Sequence, residues 1–472
     1  MREELSAALP LPASMREAHP KRLLRSRVSQ LAAASGGSLV VYIVGAGVSY
    51  LAQVATARLI GGTSFGVYVY VLAWTTLLAN AATLGFHTSL LRLLPAYRAA
   101  QDWPRARGLV RFSAWGTALS GCIAAGVGVG TAVFVLGTHS EQAQTFLIGL
   151  WAIPIIALLL VVATSVRAWG GVVSALIPGH ILRDALAVAV LGTVLAGGLL
   201  APGAPAAAVA LVAGTFGALA ASYGLLRRRR PPELDTARAA FALGDWLRPT
   251  LPLTAFMLAD VLMSRAGVLV LGSAGATREA GIFAVAYSLA LLAALPRMAI
   301  ASAFAPTVSD LHVRGERMRL QLLSARASRL SLMTTLLVAV PLVLAAKPLL
   351  SLFGAGFAAG APAVVVLVLA QLFAAACGPQ QHLLTMTGNE RAAALTLAGA
   401  AGVNFICALL LVDAMGLFGV ALASAGSLVA WNLSILSVAW RRLGLRPGLA
   451  VAMRNETSDE GASASRIGEA KP

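Results

Sequence analysis

The stretch VYVYVLAWTTLLANAATLGF occupies residues 67–86 and contains no Asp, Glu, Lys or Arg. A helix needs about 20 mostly apolar residues to cross the hydrocarbon core of a membrane, and this stretch has that length. Apolar and polar residues do not alternate along it, as they would in a strand of a membrane barrel. The stretch therefore predicts a membrane-spanning α-helix, and the rest of the chain repeats this type of run.

The composition of the whole chain agrees with a membrane protein. Of the 472 residues, 58% are hydrophobic and 12% are charged, whereas about 25% are charged in an ordinary soluble domain. A soluble core cannot bury so much apolar surface. These proportions exclude a soluble globular enzyme, a disordered protein and a disulfide scaffold. The three cysteines lack pairing or metal-ligand spacing, so we expect neither a disulfide nor a bound metal.

Twelve such runs follow one another, and we predict that each forms a membrane-spanning helix. The fold class that they indicate is an all-α integral membrane protein with twelve transmembrane helices. In chain order the runs are residues 38–57, 67–86, 109–136, 144–166, 176–195, 206–226, 251–271, 281–303, 330–350, 362–386, 392–411 and 416–438.

The positions of the positive charges test this count independently. The net charge is +17, and 30 of the 36 Lys and Arg residues lie in the two tails and in every second connection. The connections on the opposite side hold only Arg58, Arg278 and Lys347. Because cytoplasmic connections carry the excess of Lys and Arg, this pattern predicts both termini in the cytoplasm. The charge then requires no nucleic-acid partner.

One long polar break, residues 227–246, divides the twelve runs into six and six. Each set carries a Gly-rich segment before its second helix, at 61–68 and at 272–283. An even number of helices gives both sets the same orientation, a parallel repeat that suits alternating access. The predicted organisation is a cytoplasmic tail at 1–37, a six-helix N-lobe at 38–226, a cytoplasmic linker at 227–246, a six-helix C-lobe at 247–440 and a cytoplasmic tail at 441–472.

Charged and strongly polar side chains inside the runs are the candidate functional residues, because intramembrane charges usually face protein or water. Uncharged polar residues either line a cavity or join helices by hydrogen bonds. Asp260 and Arg265 either line a cavity or form an ion pair, whereas the adjacent Arg183 and Asp184 are each expected to need a partner elsewhere. The candidates for a substrate-binding cavity are Arg265, Arg297, Arg58, Arg92, Gln53 and Asn80.

A cavity with more arginines than carboxylates favours an anion. The planar guanidinium of Arg binds two phosphate oxygens at once. A lipid-linked pyrophosphate therefore fits such a cavity better than a cationic drug, which needs an unpaired carboxylate. Carboxylates are scarce inside the runs, and Asp260 and Asp184 are the candidates for carrying a coupling H⁺ or Na⁺.

Short segments of the first two runs resemble a known family. The segments ARLIG at 57–61, FGVY at 65–68 and LGF at 84–86, together with Arg92, resemble the opening of the polysaccharide-biosynthesis flippases. These proteins, which include O-antigen-type oligosaccharide flippases, belong to the multidrug/oligosaccharidyl-lipid/polysaccharide exporter superfamily. The similarity of pattern and spacing extends over the whole membrane region, about residues 36–440.

The resemblance implies a two-lobed transporter in a bacterial inner membrane. Its substrate would be an undecaprenyl-diphosphate-linked oligosaccharide, moved from the cytoplasmic to the periplasmic leaflet for surface polysaccharide biosynthesis. Arginines of the first, second, seventh and eighth helices contribute to the central cavity of such flippases. Arg58, Arg92, Arg265 and Arg297 lie in those helices here.

Three other functions are alternatives. A multidrug or metabolite antiporter of the same fold would depend on an isolated carboxylate such as Asp260 and would tolerate loss of Arg265. A major-facilitator transporter should carry a Gly-x-x-x-Asp-Arg-x-Gly pattern in the second connection, which residues 95–111 lack. A membrane enzyme would place polar groups on a large outer loop, but the connections are short and contain no phosphate loop or nucleophile elbow. We therefore expect transport without catalysis and without a cofactor.

Overall fold

The computed structural model describes residues 20–445, with side chains from Gly36 onward except at 249, 251, 303, 305 and 306, and within that range every regular element is a helix. This confirms the predicted all-α fold class. The predicted cytoplasmic tails at 1–37 and 441–472 lie mostly outside the described residues. In the described part of the first tail the chain is helical from Pro20.

The helices of membrane-spanning length are numbered in chain order. They are α1 (Pro20–Ile60), α2 (Gly62–Ala99), α3 (Trp103–Leu136), α4 (Glu141–Ala168), α5 (Val172–Ala196), α6 (Ala204–Arg229), α7 (Leu243–Ser273), α8 (Thr277–Val313), α9 (Arg317–Leu344) and α10 (Ala355–Cys377), followed by the last helix, Glu390–Leu443. Shorter helices in the connections are Glu233–Thr236, Ala346–Ser351 and Gln380–Met386.

The last helix contains two spans. Eleven helices of the described chain are long and apolar enough to cross a membrane, but Glu390–Leu443 is interrupted at Gly416, whose φ of 51° and ψ of −132° are not helical. A Cβ on Gly419 would lie 2.5 Å from the carbonyl oxygen of Leu411, although eight residues of straight helix extend about 12 Å. The chain therefore reverses here into α11 (390–415) and α12 (417–443), and the structure is compatible with the predicted twelve transmembrane helices.

The tenth helix ends earlier than the apolar run at 362–386 predicts. It stops at Cys377 because Gly378 adopts a φ of 83°, a backbone conformation that favours glycine. The next residue, Pro379, has no N–H to continue the helical hydrogen bonds. A separate short helix then begins at Gln380.

Two helices of the first half are irregular within the membrane. In α2 the helix is interrupted at Leu84 (φ 49°) and Gly85 (φ 75°), and the missing side chain of Gly85 leaves room for the backbone of Thr250 on α7. In α5 a π-helical turn covers Pro178–Leu182, and such turns are frequent at functional sites. This turn carries His180, whose side chain faces the space between the two halves.

The first half comprises α1–α6 and the second half α7–α12, and their chain connections alternate between two ends of the bundle. The arginine-rich end holds connections 99–103, 229–243 and 313–317, whereas the arginine-poor end holds connections 60–62, 196–204 and 273–277. These two ends are packed differently.

At the arginine-poor end, one buried core joins both halves and includes Phe65 of the first and Phe353 of the second. At the arginine-rich end the halves have separate cores, one around Phe86 and one around Phe304. The start of α7 is an exception, because Trp246 packs in the core of the first half. The halves are thus joined at one end and separate at the other, which leaves a space between them.

The joined end brings together the two Gly-rich segments that the sequence repeats. A Cβ on Gly66 would collide with the carbonyl group of Thr277, and a Cβ on Gly281 would lie 3.0 Å from the Cα of Gly66. A Cβ on Gly272 would collide with the ring of Tyr70. Glycine is needed at Gly66 and Gly281 because the two halves approach backbone to backbone there, and at Gly272 because an aromatic ring of the other half occupies the space.

Candidate functional site

A cavity of about 510 Å³ lies between the halves, within the range of about 300–1,000 Å³ that small-molecule sites occupy. It is lined by side chains of α1, α5, α7, α8, α10, α11 and α12. The polar residues of its lining are Tyr42, Ser49, Tyr50, Gln53, His180, Asp260, Ser264, Tyr287, Ser288, Arg297, Gln371 and Trp431.

On the first-half wall, formed by α1 and α5, Ser49 of the cavity lining belongs to a bonded group with Arg183 and Asp184, which lie beside the lining. Ser49 Oγ donates to Asp184 Oδ2, and Arg183 Nε donates to Asp184 Oδ1 at 2.8 Å. The prediction that Arg183 and Asp184 each need a partner elsewhere was therefore wrong for Arg183. A side chain of Arg is long enough to reach the carboxylate of the next residue, which the argument from helix spacing overlooked.

Two further residues of this wall contact other groups. The ring of Tyr42 packs edge-on against His180, with 5.1 Å between the ring centroids. Gln53 Oε1 accepts a hydrogen bond from Ser288 Oγ of α8 at 3.5 Å, which connects α1 to the second half. These two contacts hold side chains of this wall against α5 and α8.

The second-half wall, formed by Asp260, Arg297, Gln371 and Trp431, is different. Arg297 Nε, Gln371 Oε1 and Trp431 Nε1 are buried and form no hydrogen bond with any described residue. Asp260 is exposed to the cavity. Within residues 36–445, none of the ion pairs includes Asp260 or Arg297. This wall therefore offers one cation, one anion and two polar groups to a ligand.

Arg265 lies beside the cavity and not in its lining. It is close enough for its charge to interact with Tyr287, which lines the cavity, and with Arg183 of the first half. The alternative of an Asp260–Arg265 ion pair is not realised in the described structure. Five residues along a helix separate two side chains by about 140° around the axis, so the two groups point in different directions.

The other predicted cavity residues lie elsewhere. Arg58 is exposed at the arginine-poor end, where its Nε donates to the carbonyl oxygen of Leu352 at 2.6 Å and its Nη2 to that of Ser351 at 3.1 Å. Arg92 is exposed on α2 and does not line the cavity. Asn80 Nδ2 donates to a carbonyl oxygen of its own helix at 2.9 Å. The structure thus brings Gln53 and Arg297 into the cavity and leaves these three residues outside it.

Sequence reasoning missed Gln371, Trp431 and Tyr287. A signal for Gln371 was present, because it is the only side chain in the first 18 residues of the run at 362–386 that carries an amide, a hydroxyl or a charge. Such an isolated polar residue in a membrane helix usually faces protein or water. Trp431 and Tyr287 gave no such signal, since aromatic residues are common throughout membrane helices.

Comparisons with known proteins identify the family. A family model described as polysaccharide biosynthesis protein matches residues 33–312, which is more than half of the chain. A search of curated proteins found no match.

Solved structures share the fold. An inward-facing multidrug resistance MATE family transporter of the MOP superfamily has a TM-score of 0.68 at 17% identity, covering 86% of this chain and 98% of the other. The lipid II flippase MurJ in an inward closed conformation has a TM-score of 0.64 at 13% identity, with 85% and 86% covered. An outward-facing MATE family transporter has a TM-score of 0.57 at 18% identity, with 86% and 95% covered.

These relatives are transporters and flippases recorded in different conformations, and none is described as an enzyme. The chain is accordingly a multi-pass membrane protein that belongs to the polysaccharide biosynthesis protein family, and it has the fold of these transporters and flippases.

Proposed function

We propose that this protein is a flippase that moves a polyprenyl-diphosphate-linked oligosaccharide across the bacterial inner membrane for surface polysaccharide biosynthesis. The observation that carries the proposal is Arg297, a guanidinium without a counter-ion in the described structure that faces a cavity between the two halves. Arg265, also without an ion pair in that range, adds a second positive charge beside the cavity.

The electrostatic argument concerns the cost of an unpaired charge. A guanidinium in a membrane interior is costly unless an anion or water compensates it. A diphosphate supplies that compensation, and its oxygens fit the planar fork of Arg in pairs. The first-half wall adds little anionic competition, because the carboxylate of Asp184 is already bonded to Arg183 and Ser49.

The direction of transport follows from the charges at the two ends. Because Lys and Arg mark the cytoplasmic side, the arginine-rich end faces the cytoplasm and both termini lie there. The cavity then takes up the diphosphate and its sugars from the cytoplasmic side, while the polyprenyl chain stays in the bilayer. Closure of the arginine-rich end and opening of the arginine-poor end, by rocking of one half against the other, expose the headgroup to the periplasm.

A second candidate function is a multidrug or metabolite antiporter, and Asp260 favours it. A carboxylate that is exposed to the cavity and has no ion-pair partner among the described residues is suited to a cationic substrate. In the flippase, Asp260 is instead the stronger candidate for carrying a coupling H⁺ or Na⁺. Asp184 is the weaker candidate, because Arg183 already neutralises it.

Binding measurements distinguish the two functions. Purified protein in nanodiscs is titrated with undecaprenyl diphosphate, and with a lipophilic cation as the antiporter probe. We expect Arg297→Gln to weaken binding of the diphosphate at least tenfold, because charge-assisted hydrogen bonds contribute about 1.5–3 kcal/mol. Arg92→Gln, the matched control outside the cavity, should have no effect.

A cellular experiment tests the same proposal. A deletion strain should accumulate a polyprenyl-linked glycan on the cytoplasmic face, and the wild-type gene should remove it. Normal glycan export with increased drug sensitivity, or tight binding of the cation that Asp260→Asn abolishes, would contradict the flippase and support the antiporter.

A further inference from the structure

Two neutral polar groups of the second-half wall have buried atoms that lack a partner among the described residues. Gln371 is only 7% exposed, lines the cavity, and its Oε1 accepts no hydrogen bond from the described residues. Trp431 lines the same cavity, and its buried Nε1 donates none. Buried polar atoms without a partner are rare in native proteins, and each one indicates strain, a functional role or an absent water or ligand.

A diphosphate cannot satisfy the buried oxygen of the Gln371 amide. That atom is a carbonyl oxygen, which only accepts hydrogen bonds, and the oxygens of an ionised diphosphate also only accept. The missing partner must therefore donate, as a hydroxyl or an amide N–H does. Trp431 has the opposite requirement, because its indole N–H only donates.

A sugar satisfies both requirements. Each hydroxyl both donates and accepts, and an N-acetyl group carries one N–H donor and one carbonyl acceptor. Arg297 lines the same cavity, so a sugar attached directly to a diphosphate on Arg297 lies within this lining. Leu397 and Leu428, which also line it, supply apolar surface that excludes competing water.

We propose that Gln371 and Trp431 form a subsite for the sugar that is linked to the diphosphate. Gln371 Oε1 accepts a hydrogen bond from a hydroxyl or amide N–H of that sugar, and Trp431 Nε1 donates one to a sugar oxygen. The inference rests on the proposed function, and it adds that the second half recognises the glycan as well as the phosphates. The subsite is expected to discriminate well, because a site built for hydrogen bonds rejects a ligand that leaves its polar groups unpaired.

Two probes separate the subsite from the phosphate site. Binding to purified protein in nanodiscs is measured for undecaprenyl diphosphate and for undecaprenyl diphosphate carrying one N-acetylglucosamine. For the wild type we expect the sugar-bearing probe to bind about tenfold more tightly, as one or two buried hydrogen bonds provide. Gln371→Met and Trp431→Phe should each reduce this ratio by at least about threefold and leave the affinity for the bare diphosphate within about twofold.

The controls change the same residue types elsewhere. Gln142→Met alters a glutamine that lines a separate groove between α2, α3 and α4, and Trp115→Phe alters an indole that is exposed on α3. Neither should change the ratio. If Gln371 or Trp431 had a purely structural role, its substitution would weaken the binding of both probes equally. The ratio of the two affinities would then stay unchanged, whereas loss of sugar recognition lowers it.

The results of these binding measurements distinguish a failure of the proposed function from a failure of the sugar subsite. If the wild type binds neither probe, the proposed function and the subsite both fail. If it binds both probes equally, or if the variants weaken both probes equally, the subsite fails while the phosphate site stands. Unchanged binding of both probes in both variants also overturns the subsite, because water then completes these hydrogen bonds.

Discussion

The two sides of the cavity differ in the partners of their charged side chains. In the first half, Asp184 accepts hydrogen bonds from Ser49 and Arg183. On the second-half wall, Asp260 and Arg297 belong to no ion pair among the described residues, and Arg297, Gln371 and Trp431 keep buried polar atoms without any partner there. This difference teaches that a charge inside a membrane protein does not by itself indicate a binding site. We expect the unpaired groups of the second half to recognise the ligand and the bonded group of the first half to support the fold.

The largest expected effect is on transport, from removing the positive charge of the second half. The double substitution Arg265→Gln/Arg297→Gln should reduce glycan export about 100-fold, because a charge-assisted contact of about 1.5–3 kcal/mol with Arg297 and the longer-range attraction of Arg265 are both lost. Export is measured as surface polysaccharide in a complemented deletion strain, with protein abundance in the membrane as a control. Full export by the double variant would show that the arginines are not the anion site.

Substitutions in the bonded group of the first half should lower the stability of the protein and leave its affinity for the substrate nearly unchanged. Arg183→Gln leaves the carboxylate of Asp184 without its cation, and breaking this partly buried ion pair should lower the free energy of unfolding by about 1–3 kcal/mol, less than the 3–5 kcal/mol of a fully buried pair. Adding Asp184→Asn should restore part of the loss, because no unpaired charge then remains. Denaturation of the purified protein measures the stability, and the affinity for undecaprenyl diphosphate should change less than threefold. A tenfold loss of affinity would place Arg183 in the binding site.

A smaller effect is expected at the arginine-poor end, where Arg58 of the first half bonds to Ser351 and Leu352 of the second. Arg58→Gln removes these two hydrogen bonds, each of which contributes about 0.5 kcal/mol, the lower end of the usual range, because water competes at an exposed site. The population that is open at this end should rise about five- to tenfold. Distances between spin labels at Thr63 and Leu352 measure that population. Arg278→Gln, an exposed arginine at the same end, is the control, and an equal response to both substitutions would contradict a specific contact between the halves.

The smallest effect is expected from Gln53→Leu. The hydrogen bond from Ser288 to Gln53 is long, at 3.5 Å, and both of its partners are uncharged. Export should remain within about twofold of the wild type, since a weak hydrogen bond contributes little. A loss of export as large as that of Arg297→Gln would show that the first-half wall also binds the substrate.

The membrane-spanning helices could be predicted from the sequence, because a run of about 20 apolar residues has few other stable structures in a membrane. It also located Arg297, since a charge inside such a run must face protein or water. The reversal at Gly416 follows from one backbone conformation and not from a break in hydropathy, so the run pattern indicated its position only to within a few residues.

Sequence reasoning could not show which polar side chains form hydrogen bonds or ion pairs with one another. Whether Arg183 turns toward Asp184, whether Arg58 reaches the carbonyl groups of another half, and whether Gln371 has a donor nearby all depend on contacts between distant segments. The residue types at these positions permit either outcome. Only the three-dimensional arrangement shows that Asp184 is bonded to its neighbours, whereas Asp260 and Arg297 form no ion pair among the described residues.

The most direct test of the central claim is an experimental structure of the protein in nanodiscs with undecaprenyl diphosphate bound. The account predicts density for the diphosphate between the two halves, with its oxygens within hydrogen-bond distance of the Arg297 guanidinium and with Arg183 still bonded to Asp184. A diphosphate bound outside this cavity, or one held by the first-half wall with Arg297 paired to a protein carboxylate, would contradict it.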